Sequence, residues 1–394
     1  FYIYFPTSKG DNYVVTATDP AGPWSEPVKL EVSGIDPGHI ATPEGDRFIY
    51  LNAGKFARLS PDGLSVTVDA VKRYDGWPIP TEWEIECFCL ESPKLMRRGD
   101  WVYLTSAQGG TAGPATSHMV VSARARSPEG PWEESPFNPI IHTWSPEEDF
   151  WSKGHGTVFD DAAGDWYVIY HGYLRGHLAW GRHMLLEAIE WTDDGWFKTV
   201  RDPMTEGPIV FHANERVKDD AFTDKNPGLQ WQFGGIVEPD VQVRMDADAM
   251  ILAPADGQTV TAQVNPDEKS FEVSIELSIE GSDMTAGLVI YYSDDHHVGL
   301  GLHAGELVRL INGRTGFEPG AASLTRHLKM RVRDHVATFF SSTDGKTWVK
   351  ADRSYEISAF QHNSLGGFSY IRPAILARGD GEIRVSNFQF RPLP

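Results

Sequence analysis

Three times in the first half of the chain an aspartate opens a short aromatic run. The runs are Asp46-Arg47-Phe48-Ile49-Tyr50-Leu51, Gly99-Asp100-Trp101-Val102-Tyr103-Leu104 and Gly164-Asp165-Trp166-Tyr167-Val168-Ile169-Tyr170. A Gly-Asp turn feeding an alternating aromatic run predicts a β-hairpin. A second phrase recurs as Asp19-Pro20-Ala21-Gly22-Pro23-Trp24 and Ser127-Pro128-Glu129-Gly130-Pro131-Trp132. Whole hairpins repeating about every 50 to 65 residues mark a β-propeller. Its inner strands face a common axis, so polar residues just before the aromatic strands are the first candidates for chemistry.

The hydrophobic pattern divides the chain into parts. Residues 1–200 carry the repeats, with Gly, Pro and Asp turns and no helical period. Residues 201–216 lack a pattern and read as a linker. From 217 to 394 strands alternate strictly, as in Phe271-Glu272-Val273-Ser274-Ile275-Glu276-Leu277, which is the pattern of half-buried strands. Asp344-Gly345 supplies a hairpin turn between Phe340 and Trp348. This part reads as an antiparallel β-sandwich, and the whole chain as all-β. Phe1-Tyr2-Ile3-Tyr4-Phe5 resembles the middle of one more aromatic strand. We therefore read residue 1 as a truncation point, because a closed propeller does not start half-way through a blade.

Composition narrows the partners. A net charge of −20 argues against nucleic acid and anionic membranes. No apolar run is long enough to span a bilayer. A soluble protein, cytoplasmic or secreted, fits equally. The two cysteines, Cys87 and Cys89, stand two apart, on one face of a predicted strand. That spacing makes a poor disulfide, so they read as small buried hydrophobes.

Four stretches place an ionisable residue where a pocket could form. In Gly34-Ile35-Asp36-Pro37 the proline holds Asp36 extended and fixes where its carboxylate points. In Cys89-Leu90-Glu91-Ser92-Pro93-Lys94 the acid Glu91 ends an apolar strand. Partial desolvation there raises a carboxyl pKa and suits it to donate a proton. In Lys153-Gly154-His155-Gly156-Thr157 the two glycines let backbone or ligand approach His155 closely. In Trp180-Gly181-Arg182-His183-Met184-Leu185-Leu186 one arginine, Arg182, enters an apolar run and should face a carboxylate or a ligand. Each has a plainer reading: a turn cap for Asp36, an ion pair with Lys94 for Glu91, a structural histidine for His155 and a structural salt bridge for Arg182.

Taken in order, these motifs resemble glycoside hydrolase family 43. The order is Ile-Asp-Pro, Glu-x-Pro, Gly109-Gly110-Thr111, Gly-Pro-Trp, Asn138-Pro139-Ile140, Gly-His-Gly, Gly-Arg before an apolar run and Trp191-Thr192-Asp193-Asp194-Gly195-Trp196. The later Phe339-to-Trp348 phrase is similar to the domain that follows the propeller in family β-xylosidases. The resemblance implies a five-bladed β-propeller, truncated here, then a concanavalin-like antiparallel β-sandwich. It implies an inverting, exo-acting hydrolase of β-xylosides or α-L-arabinofuranosides, with a xylo- or arabino-oligosaccharide as partner. By motif, Glu91 matches the general acid and Asp36 the residue that tunes and orients it. Arg182 matches an arginine of the sugar subsite. His155 matches an axial histidine that binds at the substrate site beside a calcium ion (Ca2+) or its waters, which makes it the metal candidate too. The acid motif reads Glu-Ser-Pro where Glu-Gly-Pro is common. The family's general base lies upstream of the strand that Phe1–Phe5 resembles, and no substitute is nominated here. The alternative is a carbohydrate-binding propeller-sandwich that does not turn substrate over.

Overall fold

The structure is a computed structural model that describes residues 1–201, 209–210, 218–255, 257–319 and 325–394. The stretch read as a linker, 201–216, lies almost wholly outside the described residues. The chain divides into two compact units: Phe1–Gly176 with Arg182–Phe211, and His177–Gly181 with His212–Pro394.

Among the described residues the first unit is built of four antiparallel sheets in chain order, a four-blade propeller-like arrangement. The first sheet holds Tyr2–Pro6, Asp11–Thr16 and Val28–Ser33. The second holds Gly38–Ala41, Arg47–Leu51, Lys55–Leu59 and Val66–Lys72. The third runs through Glu91–Arg98, Trp101–Gln108, Met119–Ala125 and Glu133–Glu134, with Ile141–His142 also on Met119–Ala125. The fourth runs through Phe150–Asp160, Trp166–Leu174, Arg182–Trp191 and Phe197–Thr199, with Ile209–Val210 also on Arg182–Trp191.

The three aromatic runs occupy one position: each is the second strand of its sheet. Two of them bury more than one face. Phe48, Ile49, Tyr50 and Leu51 are all buried, as are Val102 through Gln108. Simple alternation fails there because apolar clusters lie on both sides of the strand: Phe48 and Tyr50 join one, Ile49 and Leu51 another. The other repeated phrase ties sheets together. The Trp132 indole N–H donates to the Tyr50 hydroxyl at 3.0 Å, and that hydroxyl donates to the Pro128 carbonyl at 2.9 Å. The Tyr103 hydroxyl likewise donates to the Gly195 carbonyl, in the turn between Arg182–Trp191 and Phe197–Thr199 of the fourth sheet. First strands of successive sheets, Gly38–Ala41, Glu91–Arg98 and Phe150–Asp160, touch one another, and this is where the ionisable residues gather.

Among the described residues the second unit is a sandwich of two seven-stranded antiparallel sheets. One is ordered Trp231–Gly234, Thr259–Val264, Arg372–Arg378, Thr285–Ser293, His296–His303, Glu306–Ile311 and Arg314–Phe317. The other is ordered Val243–Asp246, Ala249–Leu252, Glu382–Pro392, Phe271–Glu280, His327–Arg333, Val336–Ser342 and Val349–Glu356. Phe271, Val273, Ile275 and Leu277 alternate inward, and with Leu288, Ile290, Met330 and Phe339 they form one core. The Asp344 carboxylate accepts from the backbone N–H groups of Lys346 and Thr347, closing the turn between Val336–Ser342 and Val349–Glu356.

The cysteines need a correction. Cys87 and Cys89 are joined as a disulfide, with their Cα atoms 5.2 Å apart. They lie in no strand, and Cys89 has φ +39°. The backbone turns there, so the side chains meet instead of standing apart along an extended strand. They are half-buried, not core residues.

Candidate active site

Asp36 sits in the connection between the first and second sheets. The preceding turn is held by the Ile35 N–H donating to Asn52 Oδ1 at 3.0 Å. The backbone at Asp36 is left-handed, φ +56°, and not extended as the following proline predicts. Aspartate tolerates that region better than most residues. Its carboxylate Oδ2 accepts from the backbone N–H of Ser92 at 3.1 Å.

Glu91 opens the strand Glu91–Arg98, where the sequence pattern has it ending one. It pairs with Ala107, and a register shift follows before Lys94 pairs with Thr105. Ser92 within that irregularity has φ +51°. A bulge of this kind re-aims side chains. Glu91 lines a cleft of about 250 Å³ with Asn52, Ala53, Phe88 and Leu90. A larger cavity of about 410 Å³ elsewhere in the unit is lined by Tyr4, His39, Lys94 and Met96 and by none of the four predicted residues.

His155 lies in the strand Phe150–Asp160, inside the register shift between Gly154 and Thr157, with φ +58°. The glycines beside it do make room, for protein. A Cβ on Gly154 would stand 1.9 Å from His118 Cδ2, and one on Gly156 would stand 2.7 Å from Val120. Three of the residues at this site, Asp36, Ser92 and His155, thus hold backbone conformations that are costly outside glycine. Such strain clusters where surrounding structure holds a side chain for a purpose.

Arg182 opens the third strand of the fourth sheet, so it shares a sheet with His155 and does not add a further first strand. Its side chain is exposed, not set in the apolar run as the sequence pattern has it. The guanidinium Nη1 lies 3.4 Å from His171 Nε2.

The cluster is compact. Carboxylate and imidazole atoms of Asp36, Glu91 and His155 lie within 4.8 Å of one another. His155 Nε2 is 3.9 Å from both Asp36 Oδ2 and Glu91 Oε2. Two further histidines join it that the sequence pattern did not single out. His118 Nε2 is 2.8 Å from His155 Nδ1, and the His171 ring stacks on His155 at 4.8 Å. Both are polar residues at the edge of, or within, otherwise apolar strand runs, and that interruption was their signal.

The comparisons with known proteins decide the family. Residues 1–197 match the model of glycosyl hydrolases family 43. The chain belongs to that family. Residues 219–369 of this family 43 glycosidase match the beta xylosidase C-terminal concanavalin A-like domain. It is 25% identical over 425 residues to a non-reducing end alpha-L-arabinofuranosidase, BoGH43B, of Bacteroides ovatus, covering 96% of this chain and 75% of that protein. It is 27% identical over 384 residues to a xylan 1,3-beta-xylosidase of a Vibrio species, covering 86% of this chain and 71% of that protein. In fold it is similar to the crystal structure of the GH43 BlXynB protein from Bacillus licheniformis, with a TM-score of 0.83 at 22% identity, covering 100% and 84% of the two chains. No helix among the described residues is long and apolar enough to cross a membrane.

The electrostatics of this family 43 site separate its ionisable groups. Burial, then the negative charges of Asp36 and Glu86, push the Glu91 carboxyl above its ordinary pKa, against a smaller opposing pull from Arg182. Burial brings His155 down to about 4, opposed by Asp36 and helped by Arg182 and Lys94. Burial also lowers Lys94.

The side chains gathered here would not by themselves complete a calcium shell, and waters would have to supply the rest. Calcium takes six to eight oxygen ligands, and the group around His155 offers two carboxylates and imidazole nitrogens. The three histidines do not form a ready nitrogen site either. His118 Nε2 and His155 Nδ1 are 2.8 Å apart in a hydrogen bond with each other, nearer than the roughly 3.3 Å between two nitrogens on a tetrahedral zinc.

Proposed function

We propose that this family 43 glycosidase is an exo-acting, inverting hydrolase that releases β-xylose or α-L-arabinofuranose from xylan-type oligosaccharides. Glu91 is the general acid, Asp36 tunes and orients it, and Arg182 and His155 contact the sugar. The observation that carries this reading is the grouping of Asp36, Glu91 and His155 within 4.8 Å, with the Glu91 carboxyl raised by burial. A carboxyl that holds its proton more tightly than usual suits the protonation of a glycosidic leaving oxygen. Relatives named as arabinofuranosidase and xylosidase supply the sugar class.

The spacing also limits what Asp36 can do. An inverting pair stands about 6.5–9.5 Å apart to admit the attacking water. Asp36 lies too near Glu91 for that, so it acts on the acid and is not the base. The base is assigned to none of the residues described. The same reading gives the propeller five blades, one more than the four sheets seen among the described residues.

The proximity of Asp36 favours one competing chemistry, because retaining pairs stand about 5–5.5 Å apart. The test is hydrolysis of p-nitrophenyl β-xyloside and α-L-arabinofuranoside, with the anomer of fresh product read by proton NMR. Inverted product is expected. Retained product would make Asp36 a nucleophile, and sugar binding without turnover would support the binding-protein alternative.

A further inference from the structure

Glu91 is reached by an irregular stretch of chain. Residues 73–90 lie in no helix or strand, and Glu91 is the first residue of its own strand. Single backbone bonds pin the last part of this stretch. The Glu86 N–H donates to the Gly109 carbonyl at 3.1 Å, the Gly109 N–H donates to the Phe88 carbonyl at 3.1 Å, and the Ala53 N–H donates to the Leu90 carbonyl at 2.7 Å. Among these bonds stands the Cys87–Cys89 disulfide. Cys87 Sγ packs at Gly110, where an added Cβ would stand 3.0 Å from it, and the Phe88 ring packs at Gly76, where an added Cβ would stand 2.8 Å from it. Cys89 lines the same cleft as Glu91. Its backbone is left-handed, φ +39°. A residue other than glycine stays in that region only where its surroundings hold it, and the bridge to Cys87 is such a hold.

The bridge is too short to serve the fold as a whole. A disulfide restricts the unfolded chain more as the loop it closes lengthens, and this one encloses Phe88 alone. Its effect is local. We propose that the Cys87–Cys89 disulfide is a positioning element for Glu91: it locks the turn two residues before the acid and so holds the carboxyl where it protonates the leaving oxygen. The proposal rests on the reading of Glu91 as proton donor. Reduction by a dithiol releases the lock. One thiolate of the reductant attacks Cys89 Sγ, on the cleft side, and forms a mixed disulfide. Cys87 leaves as a thiolate and takes up a proton. The second thiol of the reductant then displaces Cys89, which is protonated in turn, and the reductant departs as a cyclic disulfide. Two electrons and two protons pass from the dithiol to the two cysteines.

The first arm of the test needs no substrate. Protein equilibrated with oxidised glutathione, then unfolded without reductant and treated with iodoacetamide, should carry neither label on Cys87 or Cys89. Alkylation or glutathionylation of either overturns the proposal. Reduction with dithiothreitol should speed hydrogen–deuterium exchange in peptides covering Ala53, Glu86 and Gly109 and leave the strand Phe271–Glu280 unchanged. Unchanged exchange at all three sites overturns it, whatever the activity. In the kinetic arm, reduction should lower kcat on xylo- or arabino-oligosaccharides by about 10–10²-fold with KM nearly constant. Aryl glycosides of acidic phenols should lose much less, and oxidised glutathione should restore the rate. Equal losses on both kinds of leaving group, or none, would show that the bridge does not position the acid. The double variant Cys87→Ala with Cys89→Ala should match the reduced enzyme and ignore dithiothreitol, and it carries both measurements if the bridge resists the reductant. An inactive wild type would overturn the proposed function, and the exchange result would still decide whether the bridge holds the segment.

Discussion

The carboxylate of Asp36 accepts a hydrogen bond at 3.1 Å from the backbone N–H of Ser92, the residue that follows Glu91. That bond ties the connection between the first two sheets to the entry of the third. It holds a negative charge beside the acid by fixing the backbone that carries it. The two carboxyls are thus held side by side, where burial and the charge of Asp36 raise Glu91.

Replacing Asp36 by Asn should move the pH profile in one direction. The charge of Asp36 is the second cause, after burial, of the raised Glu91 pKa. Without it Glu91 loses its proton at lower pH, so the basic limb of kcat/KM shifts downward. Asparagine keeps an oxygen for the Ser92 N–H, so the fold is retained. A basic limb that stays in place, measured on an unactivated substrate, would remove the tuning role.

Replacing Glu91 by Gln should stabilise the protein at neutral pH while abolishing its acid function. A raised folded-state pKa means that the folded protein holds this proton more tightly than the unfolded chain does. The stability so gained is complete below the ordinary carboxyl pKa of about 4.3 and is lost as pH rises through the raised value. Glutamine has no proton to lose. The Tm of Glu91→Gln should therefore exceed that of wild type at pH 7, and the difference should fade in acid. A difference independent of pH would show that burial of the charge is not what perturbs Glu91. Gains of this kind at active-site residues are the usual trade of stability against activity.

Gly154→Ala should destabilise the first unit by about 1–3 kcal/mol, the cost of overpacking. The added Cβ would lie 1.9 Å from the His118 ring. That ring is held by the Gln108 carbonyl and by His155. Urea unfolding followed by near-ultraviolet circular dichroism measures the loss. An alanine variant as stable as wild type would mean that the ring gives way.

Much of the architecture was legible because strand patterns are local. The aromatic runs at Phe48, Trp101 and Trp166 announced equivalent strands, and the alternation at Phe271 to Leu277 announced the sandwich. What depends on backbone exceptions was not legible. Asp36 was expected to be extended and Cys87 and Cys89 to lie in a strand, yet Asp36 and Cys89 both have positive φ. The ionisable residues beside turns were visible one by one. His118 interrupts an apolar run, but its partner lies 37 residues away, so the run alone does not single it out, and Glu91 gave no sign in the sequence that a bulge follows it. Long-range hydrogen bonds and register shifts leave no period in a sequence.

The most direct test of the central claim, that Glu91 donates the proton, is the kcat/KM of wild type and Glu91→Ala on two kinds of leaving group. A sugar leaving group needs protonation, whereas an acidic phenol departs largely unaided. Glu91→Ala should lose about 10²–10⁴-fold on xylo- or arabino-oligosaccharides and much less on aryl glycosides of acidic phenols. Equal losses on both would contradict the account and make Glu91 a structural residue.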